Sequence, residues 1–285
     1  MATNDADYSR WIGTHESAED SMDPLQAQGA AAMFDHPPTA LHNGAALPPL
    51  WHWFYFRDST PQHALAVDGH ARRGGFLPPV PYPRRAIAGG SLTFHRPLIL
   101  GVPAERQREV REITSKVGRS GLLVFVRVAS RISQNDTLCV EEEQQIVYRE
   151  RTATVAISDP VEGPPPSPGA RLREVLPDSR LLFRFSALTY NAHRIHYDRD
   201  YAIEQEGYPG LVVHGPLIAM WLLALASERG GMASPSVRNF TYRSEHPAFD
   251  GAMLRLLAET SGATRRLEAQ RPDGLVAQSA SATLG

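Results

Sequence analysis

The second half of the chain alternates short apolar segments with polar turns and contains one uninterrupted apolar stretch. That stretch, Leu217–Leu225, is apolar on every face, which predicts a helix enclosed on all sides rather than one lying on a surface. Before it, Leu181–Leu188 places Phe183 and Phe185 on one face and polar side chains on the other, an alternation that predicts a strand. Four later segments, separated by turn residues, predict further strands: Val237–Arg243, Ala252–Thr260, Arg265–Arg271 and Leu275–Ala282.

One buried helix followed by a series of strands favours an α+β fold over a parallel α/β fold. Parallel strands are joined by crossover connections, usually helices, and the pattern offers no further helices for that purpose. The elements instead predict an antiparallel sheet curled around the central helix, which is the hotdog arrangement.

The first half has a similar strand-rich end but a weaker helix. Its helix candidate, Asp23–Met33, is short and interrupted by glycine. A long proline- and glycine-rich stretch that includes Gly74–Pro83 follows, and loops of such length are usually functional or disordered. The aromatic residues of Trp51–Phe56 favour an ordered binding segment. The predicted strands are Ser91–Phe94, Arg108–Val117, Leu122–Ile132 and Thr137–Tyr148.

A proline-rich segment, residues 158–170, separates the two halves. Proline fixes φ and withholds a backbone donor, so this segment fits neither a helix nor an inner strand. We therefore predict a linker between two related hotdog domains, residues 1–157 and 171–285. The first domain is interpreted as degraded as a catalyst and enlarged as a binding surface, and the second as the catalytic domain.

The composition of this 285-residue chain is that of an ordinary globular protein, with 42% hydrophobic residues. A formal net charge of −2 argues against an electrostatic nucleic-acid binder, which needs a clustered basic surface. The single cysteine, Cys139, excludes an intrachain disulfide framework and is expected to be packed rather than nucleophilic. The longest apolar run, Pro216–Ala226, is far shorter than the ~20 residues of a membrane span, and no signal-peptide pattern is visible. We therefore expect a cytoplasmic protein without nucleic-acid or membrane partners.

Polar side chains that can move protons crowd into one short segment before the apolar helix, namely Asn191, His193, His196 and Asp198. His196 is the natural acid or base, because imidazole titrates near neutral pH. The alternative is a packed or surface histidine. A second alternative is a metal site formed by the two histidines with Asp198 and His214. Zinc and iron sites want three convergent ligands, so we predict catalysis by His196 and no metal.

Gly215-Pro216 begins the apolar helix. Proline is favoured at the first helical position because its missing N–H would have no partner there. Gly215 then falls at the N-cap, where no side chain blocks access to its amide. A helix N-terminus carries partial positive charge, so a thioester carbonyl placed there would have its enolate form stabilised. The simpler alternative is that Gly-Pro only starts a helix.

Three arginines are candidates for binding an anionic group, because a guanidinium binds carboxylate or phosphate through two parallel hydrogen bonds. Arg84 and Arg85 directly follow the proline-rich PPVPYP segment, whose stiff backbone would hold them in place. Arg194 lies between two histidines of the polar segment. The alternative for each arginine is a solvated surface charge.

Several motifs resemble a known family. Ala187–Asp198 reads ALTYNAHRIHYD and Val212–Leu217 reads VVHGPL, similar to the Asp-x-Asn-Pro-x-His and His-Gly pattern of MaoC-like (type 2) enoyl-CoA hydratases. In the first half, HWFYF, DGHARRGGFLPPVPYPRR, AGGSLTFHRPL and KVGRSGLLVFV resemble the double-hotdog subgroup of that family. This subgroup includes itaconyl-CoA/mesaconyl-C4-CoA hydratases and mitochondrial type 2 hydroxyacyl-thioester dehydratases. The resemblance extends from Tyr8 to the C-terminus.

The resemblance implies a role for each motif residue. His196 falls on the family's catalytic histidine and Gly215 on the glycine whose N–H binds the thioester oxygen. The family's catalytic aspartate position holds Asn191 here, and its asparagine position holds His193. Because an amide cannot accept a proton at neutral pH, the site is either rebuilt, with His193 or Tyr190 assisting His196, or reduced to one base.

The function implied by the resemblance is hydration of an enoyl-CoA without a cofactor, the CoA thioester being the substrate. Gly215 would polarise the thioester carbonyl, His196 would activate water and Asn191 would position it, while the first half would cover the acyl-CoA. The substrate-binding residues expected on this basis are Arg84, Arg85, Arg194, Tyr190 and His214.

The expected acyl group is a C5 dicarboxylate, as in mesaconyl-C4-CoA or itaconyl-CoA, whose free carboxylate would pair with an arginine as in itaconate degradation. The alternatives are a 3-hydroxyacyl-thioester dehydratase of fatty acid synthesis, a non-catalytic hotdog that binds acyl thioesters, and a thioesterase. The sequence is compatible with a homodimer.

Overall fold

All described strands belong to one antiparallel sheet. The structure is a computed structural model that describes residues 7–118, 121–150, 161, 167, 169–227 and 237–285. Its strands are β1 (His15–Asp20), β2 (Arg84–Phe94), β3 (Ala104–Gly118), β4 (Gly121–Gln134), β5 (Thr137–Arg149), β6 (Arg171–Val175), β7 (Val237–Ser244), β8 (Leu254–Ser261), β9 (Thr264–Gln270) and β10 (Val276–Leu284). They lie in the order β1-β3-β4-β5-β2-β7-β10-β9-β8-β6. Strands β1–β5 therefore form an N-terminal half and β6–β10 a C-terminal half.

The helices are α1 (Pro24–Met33), α2 (Ser179–Thr189) and α3 (Gly215–Ser227), and α1 packs against α2. Helix α3 packs against β7, β8, β9 and β10, and it is buried around its whole circumference. The predicted central helix wrapped by antiparallel strands is thus confirmed for the C-terminal half. Among the helices in the described ranges, none has the length and apolar character that crossing a bilayer requires.

The strand predicted over Leu181–Leu188 is wrong, because this segment is helix α2. Asp178 caps the helix by accepting a hydrogen bond from the Leu181 N–H at 2.8 Å. The buried positions, Leu182, Phe185 and Ser186, follow helical spacing. Phe183, which the alternating pattern assigned to the same face as Phe185, is 62% exposed. Over so few residues the pattern fits both the period of a strand and the period of a helix. The capping aspartate is the signal that distinguishes the two.

The two halves join where β2 pairs with β7, from Gly89 opposite Arg243 to Thr93 opposite Asn239. An added Cβ on Gly89 would lie 2.4 Å from the backbone oxygen of Tyr242, so only glycine allows this pairing. The glycines also interrupt the alternating pattern of the strand. The strand begins at Arg84, whereas the prediction started it at Ser91. The short strands β1 and β6 at the two outer edges of the sheet were not predicted, whereas the other predicted strands are confirmed.

The long stretch between α1 and β2 packs against the sheet. A turn of 3-10 helix, Trp51–Phe54, belongs to the main core and contacts both α1 and α2. Further along, Val80 is fully buried in a second cluster that contains Tyr148 and aliphatic side chains of β3, β4 and β5. The expectation of order in this stretch is therefore confirmed.

The predicted linker, residues 158–170, lies outside the described residues except for positions 161, 167, 169 and 170. The boundaries of the two domains accordingly stay a prediction, although the sheet itself divides into two sets of strands. Cys139 is buried, as expected of a packed cysteine.

Candidate active site

His196 is held deep in the protein by a turn of 3-10 helix, Arg194–His196. Its Nδ1 lies 2.7 Å from the carbonyl oxygen of Val212. A carbonyl can only accept, so Nδ1 carries the proton and Nε2 keeps its lone pair. Burial lowers the pKa of His196 to about 4, against a smaller upward effect of the bond to Val212. His196 is therefore a neutral base at physiological pH.

The N-terminus of α3 lies next to this base. His214, the residue before Gly215, stacks on His196 with ring centroids 3.7 Å apart and planes inclined by 19°. The His214 Nε2 also lies 2.9 Å from the Ser186 hydroxyl on α2, while Gln278 donates to the Gly215 carbonyl oxygen at 3.2 Å. These contacts fix the start of α3 beside His196, where its positive end can stabilise an oxyanion.

Asn191 shapes the backbone of the polar segment. Its Oδ1 accepts a hydrogen bond from the His193 N–H at 3.0 Å, and its own N–H donates to the Ser186 carbonyl at 2.8 Å. The amide oxygen thus serves a local turn and cannot take up a proton. Within the described ranges the side-chain NH₂ has no hydrogen-bond partner, so it stays available as a donor to water.

A loop of the N-terminal half completes the site. The Arg194 N–H donates to the Asp68 carbonyl oxygen at 2.9 Å. Gly69 lies so close to Ala192 that an added Cβ would come within 1.8 Å of the Ala192 carbonyl oxygen, and its φ is +90°. Both the contact and the left-handed backbone favour glycine. The loop therefore docks directly onto the polar segment of the C-terminal half.

Four imidazole rings, which we call the histidine row, run in sequence from this loop to α3. His70 lies 4.1 Å from His193, His193 lies 5.4 Å from His196, and His196 stacks on His214, all measured between ring centroids. At the outer end of the row, the Asp68 carboxylate accepts a hydrogen bond from the His70 Nδ1 at 3.0 Å. The row thus links an ionisable pair of the N-terminal half to the base of the C-terminal half.

Burial sets the charge state of the histidine row. It lowers the pKa of His193, and the neighbouring His70 and His196 lower it further. Burial likewise lowers the pKa of His214 and of His70, although the hydrogen bond to Asp68 acts in the opposite direction on His70. Burial is the largest single effect on the pKa of Asp68 and pushes it upward, but the hydrogen bonds and charge interactions with His70 and His193 together hold that pKa below its ordinary value. The free site therefore contains neutral imidazoles and one ionised carboxylate.

The metal site considered as an alternative does not assemble. His196 and His214 stack face to face, and Asp198 is paired with Arg194 at 2.8 Å. Within the described ranges, a different group, Asp68, His70 and His193, has ligand atoms within 4.8 Å of one another. The hydrogen bond between Asp68 and His70 already accounts for part of that grouping.

Comparison with known proteins identifies the family. The model of the hydroxyacyl-thioester dehydratase type 2 family matches residues 50–250. The chain is 54% identical to mesaconyl-C(4)-CoA hydratase of Chloroflexus aurantiacus over 98% of its length and 99% of that protein. It is 30% identical to the mitochondrial hydroxyacyl-thioester dehydratase type 2 of Schizosaccharomyces pombe, over 76% of its length and 79% of that protein. The chain belongs to the hydroxyacyl-thioester dehydratase type 2 family.

This family membership confirms the predicted class of enzyme, a carbon-oxygen lyase of the hydratase and dehydratase type. The fold agrees with it. The crystal structure of a MaoC-like dehydratase from Phytophthora capsici matches 98% of this chain and 99% of its own, with a TM-score of 0.71 at 12% identity. The predicted MaoC-like double hotdog is thereby confirmed.

Two of the three candidate arginines of this dehydratase-family chain are already paired. The buried Arg84 binds Glu206 through its Nε at 3.0 Å and lies over the Tyr208 ring. Arg194 binds Asp198 and lies 4.1 Å above the Tyr201 ring. Because both guanidiniums are neutralised, the expectation that either binds a substrate anion stays a prediction that their geometry does not favour.

Arg85 differs from these two arginines. It lies at the start of β2, and its positive charge adds to the larger effect of burial in lowering the pKa values of His70 and His193. In the part of the chain that the structure describes, no carboxylate lies within ion-pair distance of Arg85. Arg85 is therefore the candidate arginine that has no carboxylate partner among the described residues and whose charge affects His70 and His193.

Tyr190 lies apart from the histidine row. It ends α2 in a left-handed conformation and is 61% exposed. Its suggested role as a partner of His196 accordingly stays a prediction without a supporting contact. A cleft of about 470 Å³ is lined by Val67, Pro83, Arg84, Arg194, Tyr201, Gln205 and Glu206, and none of these residues belongs to the histidine row.

Sequence reasoning missed Asp68, Gly69 and His70 as members of the site. They lie more than a hundred positions before the histidines they meet, in a stretch without secondary structure. The local signal was an Asp-Gly-His triplet, in which the glycine allows a left-handed turn that directs aspartate and histidine toward each other.

Proposed function

We propose that this protein adds water reversibly across the double bond of a C5-dicarboxylyl-CoA, mesaconyl-C4-CoA, to form citramalyl-CoA. The observation that carries the proposal is the buried His196, whose free Nε2 adjoins the N-terminus of α3. The 54% identity over nearly the whole chain to a protein named for this hydration supports the same substrate.

The proposed reaction uses the groups around His196. The thioester carbonyl would accept a hydrogen bond from the Gly215 N–H, and the positive end of α3 would stabilise the enolate. The Nε2 of His196 takes a proton from water as the water oxygen bonds to the β-carbon. Asn191 would orient that water through its free NH₂ group. The enolate then takes a proton at the α-carbon, and the carbonyl re-forms.

Arg85 is the proposed partner of the substrate carboxylate. A carboxylate leaving water is costly to bury without a cation. The charges of Arg84 and Arg194 are already balanced by Glu206 and Asp198, whereas among the described residues no carboxylate lies within ion-pair distance of Arg85. A carboxylate on the β-carbon lies close to the reacting atoms, which fits a cation beside the row rather than one at a distance.

The test compares two substrates on purified protein. Replacing Arg85 with methionine keeps most of the side-chain volume and removes the charge. Hydration of mesaconyl-C4-CoA, measured as kcat/KM, should fall by about 2–4 kcal/mol in transition-state terms, while hydration of crotonyl-CoA, which lacks the carboxylate, changes little. Arg57→Met, at an exposed arginine of the same half, is the matched control.

Equal losses on both substrates would contradict the proposal for Arg85, because the arginine would then hold the CoA part or the fold. A wild-type protein that hydrates crotonyl-CoA but not mesaconyl-C4-CoA would reject the dicarboxylate substrate itself.

The second candidate is dehydration of a 3-hydroxyacyl thioester of fatty acid synthesis. The observation that favours it is the family model together with the 30% identity to the mitochondrial dehydratase. The same base and helix N-terminus would serve, since dehydration is the reverse of hydration. Preference for a long 3-hydroxyacyl chain over citramalyl-CoA in the reverse assay would place this candidate first.

A further inference from the structure

Hydration requires two proton transfers, and His196 is suited to the first of them. The proton that reaches the α-carbon comes either from His196 itself or from a second group. Asn191 carries an amide, and Asp198 is used by Arg194 and by the Tyr201 N–H. Tyr190 is largely exposed. A second acid is therefore either His193 or a group from outside the polar segment.

The N-terminal half brings an ionisable pair to this place. Asp68 accepts from the Nδ1 of His70, which fixes the tautomer so that the His70 Nε2 is the proton-exchanging atom. The same arrangement of carboxylate and imidazole orients bases in hydrolases. His70 packs 4.1 Å from His193, which in turn lies edge-on to His196 at 5.4 Å. The backbone contacts of Gly69 and Asp68 with the polar segment hold this pair against the row.

Resting on the proposed hydration, we propose that Asp68 and His70 are positioning residues that make His193 the acid of the reaction. His193, which takes up a proton when the negatively charged substrate binds, donates that proton as the electron pair of the enolate forms the Cα–H bond. His196 holds the proton taken from water. Passing that proton along the row returns His193 to the protonated state of the substrate complex, so one water is added and no other reactant is used.

Among the groups around the pair, Asp68 is the one that favours a protonated imidazole. Burial keeps the pKa values of His70 and His193 low, Arg85 lowers both further, and the negative charge of Asp68 raises both. His193 faces His70, His196, Asp68 and Arg85. The neutral resting row takes up a proton when an enolate or substrate carboxylate adds negative charge next to it. The N-terminal half is then a working part of the catalyst, in contrast to the degraded role predicted from the sequence.

The test uses Asp68→Asn and His70→Gln in the full-length protein, with Asp58→Asn as the control at an exposed carboxylate of the same stretch. Asparagine still accepts a hydrogen bond from His70 but lacks the charge. We expect kcat for hydration to fall on the order of 10²-fold in both variants, with KM changed little. In Asp68→Asn the basic limb of the kcat–pH profile should move to lower pH by about one to three units. The acid limb, which reports His196, should stay in place.

Activity of both variants within threefold of wild type overturns this inference and leaves the proposed hydratase function intact. A loss of kcat without movement of the basic limb also overturns the inference, since a purely structural role of Asp68 and His70 would give that result. If a chelator abolishes wild-type activity and zinc restores it, Asp68, His70 and His193 are metal ligands and the inference is wrong. A wild type that hydrates no enoyl-CoA overturns the proposed function and this inference together.

Discussion

Helices α3 and α1, one from each half, differ in the size of their buried side chains. Helix α3 is filled with leucine, isoleucine, methionine and tryptophan and is buried on all sides. Helix α1 carries alanines at its buried positions 27, 30 and 31, and its Gly29 already lies against Leu188. Alanine side chains occupy little volume, so the aromatic segment 51–56 can pack against α1 within the main core. The aromatic segment thus fills part of the core volume that the small side chains of α1 do not occupy.

Because of this difference, the two halves of the fold contribute different parts of the site. The C-terminal half keeps a thick central helix whose N-terminus lies beside His196. In the N-terminal half the helix has small side chains and is followed by a long connection. This connection carries aromatic residues into the core and places Asp68 and His70 at the site. Long loops docked on a rigid sheet are where function is most often found.

The largest expected effect concerns the base of the C-terminal half. We expect His196→Ala to lower kcat on the order of 10²–10⁴-fold, because a positioned general base contributes that much, with KM little changed. Steady-state hydration kinetics measure it. His246→Ala, at an exposed histidine of the same half, should keep wild-type rates. Retention of activity within a few-fold by His196→Ala would place the base elsewhere.

The next effect tests whether the N-terminal loop must dock. Gly69→Ala should lower kcat on the order of 10²-fold, because its Cβ meets the Ala192 carbonyl oxygen at 1.8 Å and displaces the loop. Gly44→Ala is the matched control, since Gly44 has a φ of +85° but nothing within 4 Å of an added Cβ. Both variants bear the backbone strain, about 1–3 kcal/mol of stability, and only the first should lose activity. Equal activity in the two variants would mean that docking is irrelevant to turnover.

A smaller effect probes the seam between the halves. Gly89→Ala should lower the free energy of unfolding by about 1–3 kcal/mol, because the added methyl forces β2 away from the Tyr242 backbone. Gly75→Ala, where an added Cβ meets nothing within 4 Å, should stay within about 0.5 kcal/mol of wild type. Urea unfolding of both variants provides the measurement. An unchanged Gly89→Ala would show that the seam tolerates separation of its strands.

The smallest effect is the dependence of stability on pH. His196 titrates near 6.5 when unfolded and at about 4 when folded, so between these values the unfolded state binds more protons. The stabilisation is therefore fully present above pH 6.5 and is lost as pH falls toward 4, by about 1 kcal/mol per pH unit for one such histidine. Urea unfolding at pH 7, 6 and 5 should show a smaller slope for His196→Gln than for His246→Gln. Identical slopes would argue that His196 is not titrated at a lowered pKa.

The sequence by itself determined the elements whose signals are local. The wholly apolar run from Leu217 predicted the central helix, because no surface helix can be apolar on every side. The crowded polar segment and the Gly215-Pro216 step predicted a base beside a helix N-terminus, and His196 and His214 do meet there. Long antiparallel strands were recognisable from alternation, since their side-chain period is two. Family motifs carried the fold and the class of reaction.

Only the tertiary structure decided which distant groups share the site. Asp68 and His70 meet His193 through a loop whose docking depends on Gly69, and no local period encodes such a contact. The structure also separated three arginines of equal charge, because Glu206 and Asp198 neutralise Arg84 and Arg194 from other elements. The helix over Ser179–Thr189 required the same information, since its short alternating run fits a strand until the buried residues are seen. Burial and pairing are properties of the folded chain, and they select the residues that do chemistry.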